Sequence, residues 1–284
     1  MNRIIALIDG SGYSQSVCDH AGWVASYGDS TLMLLHVLGR RDAACDNADL
    51  SGSIGLGARS ALLEELAELD GQKARLVNKR GRAILDDALL RAKNMGADEV
   101  TTMLRHGPLL ATMEEFDKDA DLIVIGKRGE HSHIDMEHLG TNLERVVRST
   151  KKPVLVASRA FKPIKKMLIA FDGGSSSIKA VEHIVRSELF KELECVLIQV
   201  GSETSSNQKP LWGAVAALRE AGFTAESKVI PGQPDTVIAE SIEADGFDLL
   251  VMGAYGHSRI RNLIIGSTTT QMIAACKVPI MLFR

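Results

Sequence analysis

The chain has 284 residues, of which 45% are apolar and 24% charged, with a formal net charge of −3 at pH 7. That length suits two domains better than one, and the composition is that of a globular rather than a disordered chain. The charge gives no general attraction to nucleic acid or to an anionic membrane, so any anion site must be local. No apolar run approaches the ~20 residues of a membrane-spanning helix, and the start of the chain, MNRIIALIDG, lacks a secretory pattern. Cys18, Cys45, Cys195 and Cys276 are scattered without a CxxC pair, which predicts reduced thiols in a cytoplasmic protein.

In chain order, RIIALI predicts a strand ending at Asp9, and TLMLLHV a second ending at Val37. A long stretch over 57–95, rich in Ala, Leu, Glu and Lys at helical spacing, predicts an enlarged helical region. ADLIVIGKRG then leads a strand into Gly126 and Gly129, and KKPVLVA forms a last apolar strand. After a linker at 158–165 the same order returns: KMLIAFDGGSSS with Asp172, ECVLIQV ending at Val200, FDLLVMGAYG with Gly253 and Gly256, and CKVPIMLF. The repeated order indicates a tandem duplication with domains at 1–158 and 159–284. Asp9 and Asp172 lie 163 residues apart, as do Val37 and Val200, but Gly126 and Gly253 lie only 127 apart, so the first half carries 36 extra residues.

In the second half, strands are expected near 166–171, 194–200, 225–230, 248–252 and 278–283, and helices near 175–188, 210–221, 234–245 and 266–276. Strands this apolar are buried on both faces, and helical crossovers make their pairing parallel: the fold class is α/β, two doubly wound, Rossmann-like sheets.

Ligands of such sheets bind beyond the carboxyl ends of the strands. In the stretch VMGAYGHSRIRNLIIGSTTT the pattern G-x2-G-x9-G-S, from Gly253 and Gly256 to Gly266 and Ser267, follows a strand and precedes a helix. Glycines at a strand exit permit close approach and positive φ, while free N–H groups and the helix dipole behind Gly266 attract phosphate. The hydroxyls of Ser267 and Thr268 add donors, and Arg259 and Arg261 add local charge. Other signals are weaker. DGSGYSQ lacks the third glycine of a dinucleotide fingerprint, and no Walker A motif is present. His131, His133 and His138 with Asp135 sit in a polar loop without defined ligand geometry, and His36 reads as a satisfied histidine at a strand end.

The second half resembles the ATP-binding subgroup of the universal stress protein family, and the whole chain resembles two such domains in tandem, with the adenine nucleotide alpha hydrolase-like fold. FDGGSSS is similar to the family's first-strand aspartate turn, VIPGQPDTVI to its third-strand exit, and DLLVMGAYGHS with GSTTTQMI to its nucleotide loop. The resemblance implies that Asp172 and Val200, with backbone at Ala170 and Met252, contact adenosine. It further implies that Gly253, Tyr255, Gly256, Gly266, Ser267, Thr268 and Thr269 surround ribose and phosphates.

The corresponding first-half residues are Asp9, Val37, Gly126, Gly129, Gly140 and Thr141, a weaker candidate site. There ten residues replace nine before Gly140, Asn142 and Leu143 replace hydroxyls, and Glu130, Asp135 and Glu137 oppose a triphosphate, partly offset by Lys127 and Arg128.

The expected function is that of a stress-linked sensor or regulator binding ATP, with or without Mg, and at most hydrolysing it slowly. Two alternatives stand beside it. FDGGSSS partly matches the SGGxDS turn of ATP pyrophosphatases, and non-binding family members imply a nucleotide-free scaffold. The resemblance also implies an intramolecular pseudo-dimer through KPVLVA and VPIMLF, whose apolar edges invite pairing, and leaves a homodimer through 57–95 open.

Overall fold

A computed structural model describes residues 3–39, 56–129, 140–202, 205–254 and 267–284, with backbone alone at 56–63, 205–207, 267 and 268. The first half runs β1 (Arg3–Leu7), α1 (Ser14–Ala25), β2 (Thr31–Leu38), α2 (Leu56–Asn94), β3 (Glu99–His106), α3 (Leu109–Phe116), β4 (Leu122–Gly126), α4 (Thr141–Ser149) and β5 (Val154–Ala157). The second runs β6 (Lys166–Ala170), α5 (Ser175–Arg186), β7 (Glu194–Val200), α6 (Ser205–Glu220), β8 (Ala225–Ile230), α7 (Pro234–Asp245), β9 (Leu249–Gly253), α8 (Ser267–Ala275) and β10 (Ile280–Phe283). All ten strands form one sheet in the order β3-β2-β1-β4-β5-β10-β9-β6-β7-β8.

Pairing is parallel within each half and antiparallel only at the centre, where Leu155 of β5 faces Met281 of β10. β5 and β10 are buried at every residue, which explains their unbroken apolar sequence. The outer strands differ. β3 exposes Glu99, Thr101 and Thr102, and β8 exposes Glu226, Ser227 and Lys228, a polar surface that discourages further strand addition. Because the two halves run in opposite directions, their carboxyl edges lie at opposite ends of the sheet.

Helices cover both faces. Val17 and Ala21 of α1, Leu85 and Ala88 of α2, Ile184 of α5 and Leu211 of α6 pack on one. Met113 of α3, Val146 of α4, Ile238 of α7 and Ile273 of α8 pack on the other. The predicted elements shift only at their ends. β10 starts at Ile280, not 278, because Pro279 has no N–H for the ladder and instead accepts from Leu250 N–H at 3.1 Å. α5 stops at Arg186, short of 188, and a 3-10 turn follows at Glu188–Phe190. α6 begins five residues before the predicted 210, with Pro210 inside it. No helix among the described residues is long and apolar enough to cross a membrane.

Candidate functional site

Each half builds its carboxyl edge from the same turn. After β6, Asp172 accepts from Gly174 N–H at 2.8 Å and from the Ser177 hydroxyl at 2.7 Å, both on Oδ1. After β1, Asp9 Oδ1 accepts from Ser11 N–H at 2.9 Å and from the Ser14 hydroxyl at 3.0 Å. Gly173 and Gly10 make the turn with φ of 72° and 77°, which a side chain would strain. Ser14 and Ser177 were not among the residues singled out from sequence. The 163-residue offset that matches Asp9 to Asp172 also matches them, and that signal was there to read.

Strand register sets the rest. Ala170 pairs with Ile198 and with Met252, so Asp172, Val200 and Gly253 leave three neighbouring strands side by side. In the first half Leu7 pairs with Leu35, which brings Asp9 and Val37 out together beside Gly126 of β4. The strand-exit glycines serve packing. A Cβ on Gly253 would lie 2.8 Å from Ser176 Cβ, and one on Gly126 2.8 Å from Tyr13 Cβ. Neither has positive φ, so the conformational freedom expected of Gly253 is not what this position uses; close approach of α5, the helix that follows β6, is.

Of the nucleotide loop, Tyr255, Gly256 and Gly266 lie outside the described residues, as do Arg259 and Arg261. Ser267 and Thr268 open α8, and Thr269 is buried with its hydroxyl donating to Ala254 O at 3.3 Å, which ties α8 to the end of β9. In the first half Gly129 lies against Asp9, where a Cβ would be 2.9 Å from Oδ2. Gly140 N–H donates to Lys127 O at 3.1 Å, and Thr141 begins α4. The loop carrying Glu130, Asp135, Glu137 and the three histidines is outside the described residues.

Lys127 is buried, and its Nζ donates to Cys276 O, just past the end of α8 in the other half, while the carboxylates it was expected to offset lie outside the described residues. Burial lowers its pKa from the ordinary lysine value. His36 is satisfied as expected, with Nδ1 2.5 Å from Ile8 O. Cys18, Cys195 and Cys276 are buried free thiols, and burial pushes Cys18 and Cys195 up to about 12, far from thiolate chemistry. Among the described residues no group of three or more His, Cys, Asp or Glu could hold a metal ion.

The model of the universal stress protein family matches residues 1–158 and 197–284. A universal stress protein of Synechocystis sp. is 37% identical over 290 residues, covering 100% of both chains. The chain belongs to the universal stress protein family. A family member of Mycolicibacterium smegmatis is 22% identical over 301 residues, covering 99% of this chain and 96% of the other. In fold, the crystal structure of a universal stress protein from Archaeoglobus fulgidus matches with a TM-score of 0.74 at 18% identity, over 100% of this chain and 98% of that one. Asp172 falls between the two matched segments, so its equivalence to Asp9 rests on the internal repeat and on the shared turn geometry.

Proposed function

We propose that this universal stress protein binds an adenine nucleotide, ATP, along the carboxyl edge of β6, β7 and β9, and acts as a stress-linked regulator. One observation carries the reading: Asp172, Val200 and Gly253 leave adjacent strands together, and the helix that begins with Ser267 and Thr268 is tied to that same exit through Thr269. An exposed carboxylate held in place by Ser177 suits a ribose or adenine donor, and a helix start suits phosphate. A magnesium ion would accompany the triphosphate.

The second half, 159–284, is the principal site. Its loop carries Arg259 and Arg261 where the first half, 1–158, carries Glu130, Asp135 and Glu137. Lys127, one of the two cations expected to offset those carboxylates, is committed to Cys276 O. The β5–β10 pairing then makes the chain an intramolecular counterpart of a two-domain dimer. Replacing Gly266 with valine tests the assignment: in a correctly folded protein, calorimetry should find ATP affinity reduced at least about tenfold, ~1.4 kcal/mol. Unchanged affinity would remove the glycine motif from the site.

A further inference from the structure

α2 is 39 residues long, about 58 Å of helix, and its later part packs on the sheet. Leu85, Ala88 and Ala92 are buried there. Every residue from Glu64 to Leu76 is exposed, so this segment stands off the body. It nevertheless carries leucines: Leu66, Leu69 and Leu76 are 36%, 53% and 67% exposed. With Lys73 they follow the alternating three- and four-residue spacing of a coiled-coil seam. The seam lies roughly 110° around the helix from the buried face, so it is no continuation of the core stripe. Isolated helices without a packed face are marginal in water.

Charge identifies the occupant. Glu64, Glu65, Glu68 and Asp70 form an acidic stretch, followed by Lys73, Arg75, Lys79, Arg80 and Arg82. On the helix, Glu65 and Lys79 flank the seam on one side and Asp70 on the other, while Glu64, Glu68 and Arg75 point away from it. Reversed on a second copy, the segment brings Glu65 beside the partner's Lys79 at both ends of the seam. We propose that two copies of the chain associate through this segment of α2 as an antiparallel helix pair, with a two-fold axis near Gly71 and Gln72. Leu66 then meets the partner's Leu76, and the Lys73 stem lies along the partner's Leu69 with its ammonium near the partner's Asp70. Parallel pairing would set Glu65 against the partner's Asp70, and a uniformly acidic or basic partner would match only half the segment. Exposed ion pairs are individually weak, so the leucines supply affinity and the charges fix orientation and partner. The interface is isologous and is independent of the nucleotide assignment to the second half.

Sedimentation of the intact protein tests this, with circular dichroism to verify folding of each variant. The wild-type chain should reach dimer at high micromolar concentration, with weaker association in high salt. Leu69→Glu with Leu76→Glu should leave monomer. The double variants Lys73→Glu/Lys79→Glu and Glu65→Lys/Asp70→Lys should each self-associate at least tenfold more weakly, and mixing the two should restore dimer. A wild-type chain that stays monomeric would overturn the proposal, as would charge variants that dimerise like wild type.

Discussion

At the scale of single residues, the duplication preserves what the site and core need. Asp9 and Asp172 keep their serine partners, and His20 and His183 occupy equivalent places on α1 and α5. Both histidines have a buried Nε2 without a hydrogen-bond partner, and both pack against a phenylalanine, Phe161 or Phe283. Burial lowers both pKa values, that of His183 from 6.5 to about 4. The unfolded chain therefore takes up a proton at position 183 before the folded protein does. Stability should be full above about pH 6.5 and be lost as the pH falls toward 4. The slope from one such histidine is at most about 1.4 kcal/mol per pH unit. Urea unfolding between pH 7 and 5 checks this: His183→Gln should lose less stability over that interval than wild type, and equal losses would count against the assignment.

At the scale of elements, the apolar strands were legible because runs of their length have one use in a doubly wound sheet, whereas β3, a polar edge strand without such a run, was not. The buried centre of the sheet was legible too, since VLVA and IMLF have no polar residue to face water. The role of Gly253 was less so. Glycine before a loop reads as a place for ligand, but the atom it makes room for, Ser176 Cβ, is far away in sequence. Gly253→Ala should force α5 away from β9 and destabilise the protein by about 1–3 kcal/mol. Gly126→Ala, against Tyr13, should behave alike. Denaturant titration is the check, and wild-type midpoints for both variants would contradict this packing.

At the scale of the whole molecule, the halves are joined by more than the β5–β10 ladder. Each sends a cation to the end of the other's last helix: Lys127 to Cys276 O after α8, and Arg284 to Arg148 O at 2.7 Å, at the end of α4. A helix carboxyl end favours a positive charge, so these contacts reinforce the joint. They were not legible in the sequence because a lysine beside a glycine motif and an acidic loop reads locally as a counter-charge to that loop, and its hydrogen-bond partner lies 149 residues away. Lys127→Ala should leave a buried carbonyl without this donor and lower stability by about 1–3 kcal/mol in thermal unfolding. An unchanged midpoint would show that the contact does not hold the halves together.

The opposite placement of the two carboxyl edges and their different loop charges make the most direct measurement a count of sites. Calorimetric titration of the intact chain with ATP should show about one strong site per chain, assigned to the second half by its loss in Gly266→Val. Two equal strong sites, or none, would contradict the account.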